Sequence, residues 1–387
     1  MSTIPPIVSK FILSKIRLGL LSCTFVPILK QLYMNSTERS SKLVAAWLLI
    51  GVGMTVIQIA LGGITRLTGS GLSITQWDVI TGSLPPLNEQ QWLEEFDKYR
   101  HTPQYHLLNF DFTLSDFKFI FFWEWFHRLW ARTIGLVFMV GFVWLLVKRH
   151  FKKEMINPLL ILFLLGALQG VIGWIMVASG LTGDAIYVKP TRLALHFLFA
   201  LGLLCYTFWF ALQLLVKKEQ VIENKPLRKW NLAILYVLIL QLLYGALMAG
   251  HKAATAASTW PTIGGQWIPD NLLVKQPAAL NFIDNKILIH FIHRGLAYIL
   301  LVLIILWSIK LFKTKGSVLF TKTRWWPLAI VILQVVLGIA SLLTSTGILP
   351  GHWGAFEWMA QLHQLTGMLL LLSLVWMLFV VRSRPVK

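Results

Sequence analysis

Residues 42–62 read KLVAAWLLIGVGMTVIQIALG, a run in which Lys42 carries the only charge and Thr55 and Gln58 are the main polar interruptions. At 1.5 Å per residue such a helix is about 31 Å long, which matches the hydrocarbon thickness of a bilayer. Seven more stretches of this kind follow, at about 119–147, 156–178, 192–216, 230–250, 286–311, 325–346 and 358–381. The reading is therefore an all-α integral membrane protein with eight transmembrane helices. Composition agrees: the 387-residue chain is 56% hydrophobic and only 13% charged, with a mean hydropathy of +0.68. Soluble domains carry about 25% charged residues, and disordered chains are poor in apolar ones, so both classes are excluded.

The net charge of +19 would suggest nucleic acid if the basic residues shared a soluble face. They do not. The N-terminal stretch through Lys42, the connections after segments 2, 4 and 6, and the tail beyond Val381 hold 23 of the 35 Lys and Arg but only Glu38, Glu154, Glu219 and Glu223 of the acids. The whole excess thus belongs to one side of a membrane, and the positive-inside rule puts both termini on a cytoplasmic or matrix side. Residues 1–41 are basic and poor in acids, which fits a transit peptide, a start ahead of Met34 or a surface-lying amphipathic segment equally.

Odd-numbered segments share the spacing Gln-x-x-x-Gly, at Gln58/Gly62, Gln169/Gly173, Gln241/Gly245 and Gln334/Gly338. Even-numbered segments carry a histidine near their outer ends. His127-Arg128 recurs as His293-Arg294 and His196 recurs as His363, at nearly equal offsets. This predicts two tandem, parallel four-helix bundles, 42–216 and 230–381, joined by a linker at 217–229 and followed by a basic tail, 382–387. The first bundle carries a long external loop, 63–118, with a short helix expected around Glu89–Tyr99.

Cys23 and Cys205 build neither a disulfide framework nor a thiolate site, so metal chemistry must rest on the histidines. One intramembrane histidine is often only a satisfied hydrogen bond, but four at one depth on alternate helices ask for more. Imidazole is the usual axial ligand of haem, and a porphyrin between helices needs two opposed histidines. This gives one haem site per half, His127 with His196 and His293 with His363. A di-iron centre needs several Glu-x-x-His pairs, and only Glu124/His127 qualifies. Glu124, one turn from His127, reads either as an ion-pair partner of Arg128 or as a group for proton transfer; its counterpart in the second half is His290. Arg128 and Arg294 are candidate partners for haem propionates. The tryptophans near helix ends, Trp123, Trp125, Trp325 and Trp326, read as an interfacial belt. His101, His106 and His150 read as solvated, and His251 and His352 as loop residues near a site mouth.

Several motifs carry a resemblance: Gly62-Gly63-Ile64-Thr65-Arg66-Leu67-Thr68, Ser70-Gly71-Leu72-Ser73 with Trp77, Pro85-Pro86, Glu124-x-x-His127-Arg128, Arg192-Leu193-Ala194-Leu195-His196, His293-Arg294 and Leu362-His363-Gln364. From about Lys42 to Val381 the chain resembles the haem A synthase family, of the type without paired cysteines in its external loops. The resemblance implies that haem O is oxidised at a ring methyl to a formyl group, through successive hydroxylations, to give haem A for cytochrome oxidase. It implies haem b (iron) on His293 and His363, substrate haem O on His127 and His196, and Glu124 as the essential carboxylate. His290 departs from the glutamine expected there. The expected partners are haem O, membrane lipid, a haem O synthase and an electron-transfer protein, with no nucleic acid. The expected location is a bacterial plasma membrane, with the mitochondrial inner membrane as the other setting. The competing reading is a di-haem b-type electron carrier, which usually sets its haems towards opposite faces, whereas these histidines share one side.

Overall fold

A computed structural model describes residues 40–76, 81–349 and 351–382, and the three readings of residues 1–41 fall almost wholly outside them. The eight long apolar helices are α1 (Ser40–Leu67), α2 (Leu114–Val147), α3 (Lys153–Ala178), α4 (Pro190–Leu215), α5 (Lys225–Gly250), α6 (Lys286–Lys313), α7 (Trp326–Thr344) and α8 (Ala355–Val380). Hydropathy finds all eight and misplaces two starts, because caps are polar. α2 begins at a capping box in which Thr113 and Asp116 bond each other's backbone N–H, and α5 begins where Asn224 accepts from the Leu227 N–H.

α8 is the central helix. In its most apolar window 61% of residues are buried within the protein, against 6% for α2 and for α3, which present their sides to lipid. The largest core runs through α4 to α8, with Leu204, Ile234, Ile304, Trp307, Leu370 and Leu374 buried. A second core joins α1, α2, α3 and α4 through Val44, Leu48, Leu145, Leu159 and Phe210. On the basic side, Ile222–Glu223 of the linker pairs in parallel with Val381–Arg382 beyond α8, and Arg228 donates to the carbonyls of Leu378 and Val381.

On the opposite side, the long loop after α1 folds into an aromatic cap. Helix Glu89–Arg100 replaces the expected 89–99, and a second short helix, Pro103–Leu108, was not anticipated. Tyr99 and Phe96 stack on Phe117 of α2 at ring distances of 5.4 and 5.1 Å, and Trp92 meets Phe121 edge-on at 5.0 Å. Burial pushes the Tyr99 hydroxyl up to about 12, so it remains a donor to Gln104 while accepting from Asn109. Gln104 in turn donates to the Ile186 carbonyl between α3 and α4. Trp125, read as part of an interfacial belt, packs on this cap and donates to the Ser83 carbonyl.

α8 presses on α1 at Gly63, where an added Cβ would sit 2.8 Å from Gln364 Nε2 and closer still to Gln361. Gly53 has open space around it. Gly63→Ala is expected to lower the thermal midpoint of the detergent-purified protein by about 2–6 °C, the usual overpacking cost, while Gly53→Ala leaves it nearly unchanged.

Candidate functional site

The Gln-x-x-x-Gly spacing and the four histidines, read separately from sequence, meet in the structure. Each odd-numbered helix lays its glutamine and glycine against the histidine of the helix that follows. Gln58 Nε2 lies 3.3 Å from both ring nitrogens of His127, and Gln169 Nε2 lies 3.2 and 3.5 Å from those of His196. Gln241 and Gln334 each reach the Nε2 of His293 and His363 at 3.4 Å. The glycines one turn on leave room for the rings. A Cβ at Gly62, Gly173, Gly245 or Gly338 would come within 3.1, 2.9, 3.2 or 2.8 Å of the imidazole Cε1. Each histidine is thus seated in a groove of its partner helix and oriented by an amide.

His293 and His363 face each other with ring centres 6.4 Å apart and planes at 79°. His127 and His196 also lie close enough to interact electrostatically. The separation of His293 and His363 fits two imidazoles on one metal: a metal–imidazole bond is about 2 Å and the ring centre lies roughly 1 Å behind the nitrogen, so the two rings would stand roughly 6 Å apart. His363 Nδ1 is 3.0 Å from the Gln334 carbonyl, an arrangement that makes Nδ1 the donor and Nε2 the acceptor; Nε2 meets the Gln334 amide at 3.4 Å and is the nitrogen a metal would take in its place. The carboxamide oxygens of Gln58, Gln169, Gln241 and Gln334 are buried without partners, an unpaid polar cost repeated at all four seats. Among the described residues no three His, Cys, Asp or Glu side chains form a metal-holding group, so each pair offers two axial ligands.

Glu124 is 3% exposed and accepts three hydrogen bonds. Its Oε2 accepts from the Ser73 hydroxyl at 2.8 Å and the Ile74 N–H at 2.9 Å, while Oε1 accepts from Arg128 Nη2 at 2.6 Å. Arg128 also donates to the carbonyls of Ile74 and Gln76, so carboxylate and guanidinium together clamp the Ser70–Gln76 loop over the mouth of the first histidine pair. In the second half Arg294 donates to the carbonyls of Ala257, Thr259 and Thr262, and His290, 1% exposed, bonds the Ala253 carbonyl at 2.8 Å. Both arginines therefore hold the loop that precedes their helix. Three of the five N–H groups of Arg294 are used this way.

The loop histidines divide. His101 is exposed, but His150 pairs with Ser40 at 3.0 Å, tying the end of α2 to the start of α1, and His251 bonds the Ile283 carbonyl. Ser73 and the four glutamines are contacts that sequence reasoning did not assign. Their signal was present in the Gly71-Leu72-Ser73 motif and in the alternation of Gln-x-x-x-Gly segments with histidine segments.

An eight-span helical protein with histidine pairs seated between helices at one end has the build of a haem-associated membrane protein. Residues 45–375 match the COX15-CtaA family, described as cytochrome oxidase assembly protein, and the chain belongs to that family. Similar curated proteins include the heme A synthase of Novosphingobium aromaticivorans, 40% identical over 88% of this chain and 95% of that protein. That of Flavobacterium psychrophilum is 40% identical over 86% and 96%, and that of Rhodospirillum centenum 41% identical over 88% and 89%.

Removing one member of a buried ion pair strands the other. Glu124→Leu takes the carboxylate from Arg128 and leaves the Ser73 hydroxyl and the Ile74 N–H without their acceptor, and is expected to lower the thermal midpoint sharply, a cost of about 3–5 kcal/mol. Glu124→Leu with Arg128→Met should recover much of that loss. A double variant as unstable as the two single losses added together would show that the pair is not coupled.

Proposed function

We infer that this chain is an oxidoreductase that converts a ring methyl of haem O into the formyl group of haem A. The observation that carries the reading is the conjunction of two seated histidine pairs with a buried carboxylate, Glu124, one turn before His127, where the second half has His290 one turn before His293. Family membership and the extent of similarity to heme A synthases support it. Haem, when bound, supplies the one-electron and oxygen chemistry that protein side chains lack.

In this reading His127 and His196 hold the iron of the substrate haem O, and His293 and His363 hold a resident haem b. The tandem two-bundle organisation, 42–216 and 230–381, follows from the same assignment and is supported by the fourfold recurrence of the Gln/Gly/His seat. Glu124 serves the substrate half. A carboxylate has about four lone-pair positions, and three are taken by Ser73, Ile74 and Arg128, which leaves one to accept a proton released as the methyl group is oxidised. Arg128 and Ser73 keep that lone pair aimed by fixing both oxygens. Arg294 keeps N–H groups beyond its three loop bonds, enough to meet a propionate, and Arg128 stands at the corresponding place in the first half. The isoprenoid tail of haem O reaches the first pair from lipid past α2 and α3, the two least buried spans. The basic side faces the cytoplasm or matrix of a bacterial plasma membrane or a mitochondrial inner membrane. A haem O synthase delivers the substrate, and a separate electron-transfer protein takes part in the redox balance.

Expressed with a haem O supply, the chain is expected to yield haem A and its hydroxylated precursor, identified by chromatography and mass spectrometry of extracted haems. A protein that binds haem but forms neither is an electron carrier and not a synthase. Glu124→Ala should lose product by at least about 100-fold, the scale of a general acid–base contribution, while resident haem absorbance survives. His293→Ala should lose the resident haem; if haem content is unchanged, the assignment of the second half fails.

A further inference from the structure

One turn of α8 carries His363 between two glutamines that point the other way. Gln361 Nε2 donates to the Ala60 carbonyl and Gln364 Nε2 to the Ile59 carbonyl, both at 3.0 Å. These acceptors belong to the turn of α1 whose neighbouring residues, Gln58 and Gly62, seat the ring of His127. The path from one histidine pair to the other is short: His363 is bonded in sequence to Gln364, which bonds Ile59, which follows Gln58, which contacts His127. Gly63, having no side chain of its own, leaves the space between the two helices here to the amides of Gln361 and Gln364.

Two features separate this from ordinary packing. Gln361 is 5% exposed, and its Oε1 is buried with no partner, so the residue accepts the cost of an unmade hydrogen bond to place its N–H on α1. The seats are also tight. A Cβ added at Gly62 or Gly338 would come within 3.1 or 2.8 Å of a histidine ring, so there is less than a methyl group of spare room and a shift of either helix by about 1 Å towards the ring displaces it. Packed helices respond to a ligand by translations of about 1–2 Å, not by smooth deformation.

We propose that Gln361 and Gln364 are positioning residues that couple the two histidine pairs, so that filling the His293/His363 site sets the position of α1 and with it the seat of His127. The proposal rests on the reading that each pair binds a haem. α8 moves with His363 when that site fills, the two amides carry the movement to the Ile59–Ala60 carbonyls, and Gln58 and Gly62 pass it to the imidazole. The first site then binds its haem more tightly when the second is occupied, and by linkage the reverse holds with the same factor.

The test uses the full chain in detergent with haem b as the probe. Affinity at the first pair is measured by absorbance titration in two backgrounds, the protein with its second site loaded and His293→Ala, which empties that site without touching the relay. Loading is expected to tighten first-site binding about fivefold or more. In Gln361→Leu/Gln364→Leu, and in the milder Gln364→Met if the double variant does not fold, that ratio should fall by at least half. Asn231→Leu is the control: Asn231 also donates to an α8 carbonyl, that of Leu374, but towards the basic side. It should lower the thermal midpoint while keeping the ratio. A ratio of one in the parent, a ratio unchanged in the glutamine variants, or an equal loss in Asn231→Leu overturns the proposal. Failure of the underlying reading looks different, since His127→Ala would then leave the number of haems bound unchanged.

Discussion

The structure depends on four close contacts between helix backbone and imidazole, and they exist because four positions lack a side chain. At Gly62, Gly173, Gly245 and Gly338 the histidine of the next helix occupies the volume a methyl group would fill. In lipid there is no water to compete for the ring nitrogens and little hydrophobic gain from helix association, so close packing and interhelical hydrogen bonds must do both jobs. The glutamine one turn before each glycine supplies the bond, and the glycine supplies the approach. Helix pairing and ligand orientation are therefore one interaction, made four times.

Around that repeated unit the two halves differ where chemistry would distinguish them. Three residues before His127 stands an acceptor, Glu124, and the loop above it presents donors, the Ser73 hydroxyl and the Ile74 N–H. Three residues before His293 stands His290, and the loop above it presents a carbonyl, that of Ala253. The loop and the side chain have exchanged polarity. Arginine holds the loop in both halves, through Arg128 and Arg294, so the scaffold is kept while the group facing the pocket changes. At this position, one turn before the histidine, the carboxylate is present in the first half and replaced by an imidazole in the second.

The spans were legible because each is an uninterrupted apolar run, and the short helix at Glu89 because its amphipathic stretch is bounded by Pro86 and Asn88. What hydropathy cannot see is a helix end made of polar caps, which is why α2 and α5 start earlier than their apolar runs. The candidate histidines stood out through their spacing, and Glu124 through its position one turn away. The pairing of Gln58 with His127 did not, since 69 residues separate them and only packing brings them together. The same is true of Gln361 and Ala60, which meet across 301 residues. The bond of Trp125 to the Ser83 carbonyl is hidden for a related reason, since 42 residues separate the two and only the folded loop brings them together.

The most enclosed span, α8, follows the other seven in the chain. It holds Gln361 and Gln364 on α1, receives the Asn231 bond from α5 and packs on α7 and α4. In chain order α1, α4, α5 and α7 are made before the helix they share, so the carbonyls of Ile59 and Ala60 gain their side-chain donors only when the last span is in place. The enclosure of the bundle, and with it the backing of the turn that seats His127, is thus completed by the final helix of the chain and from the inside.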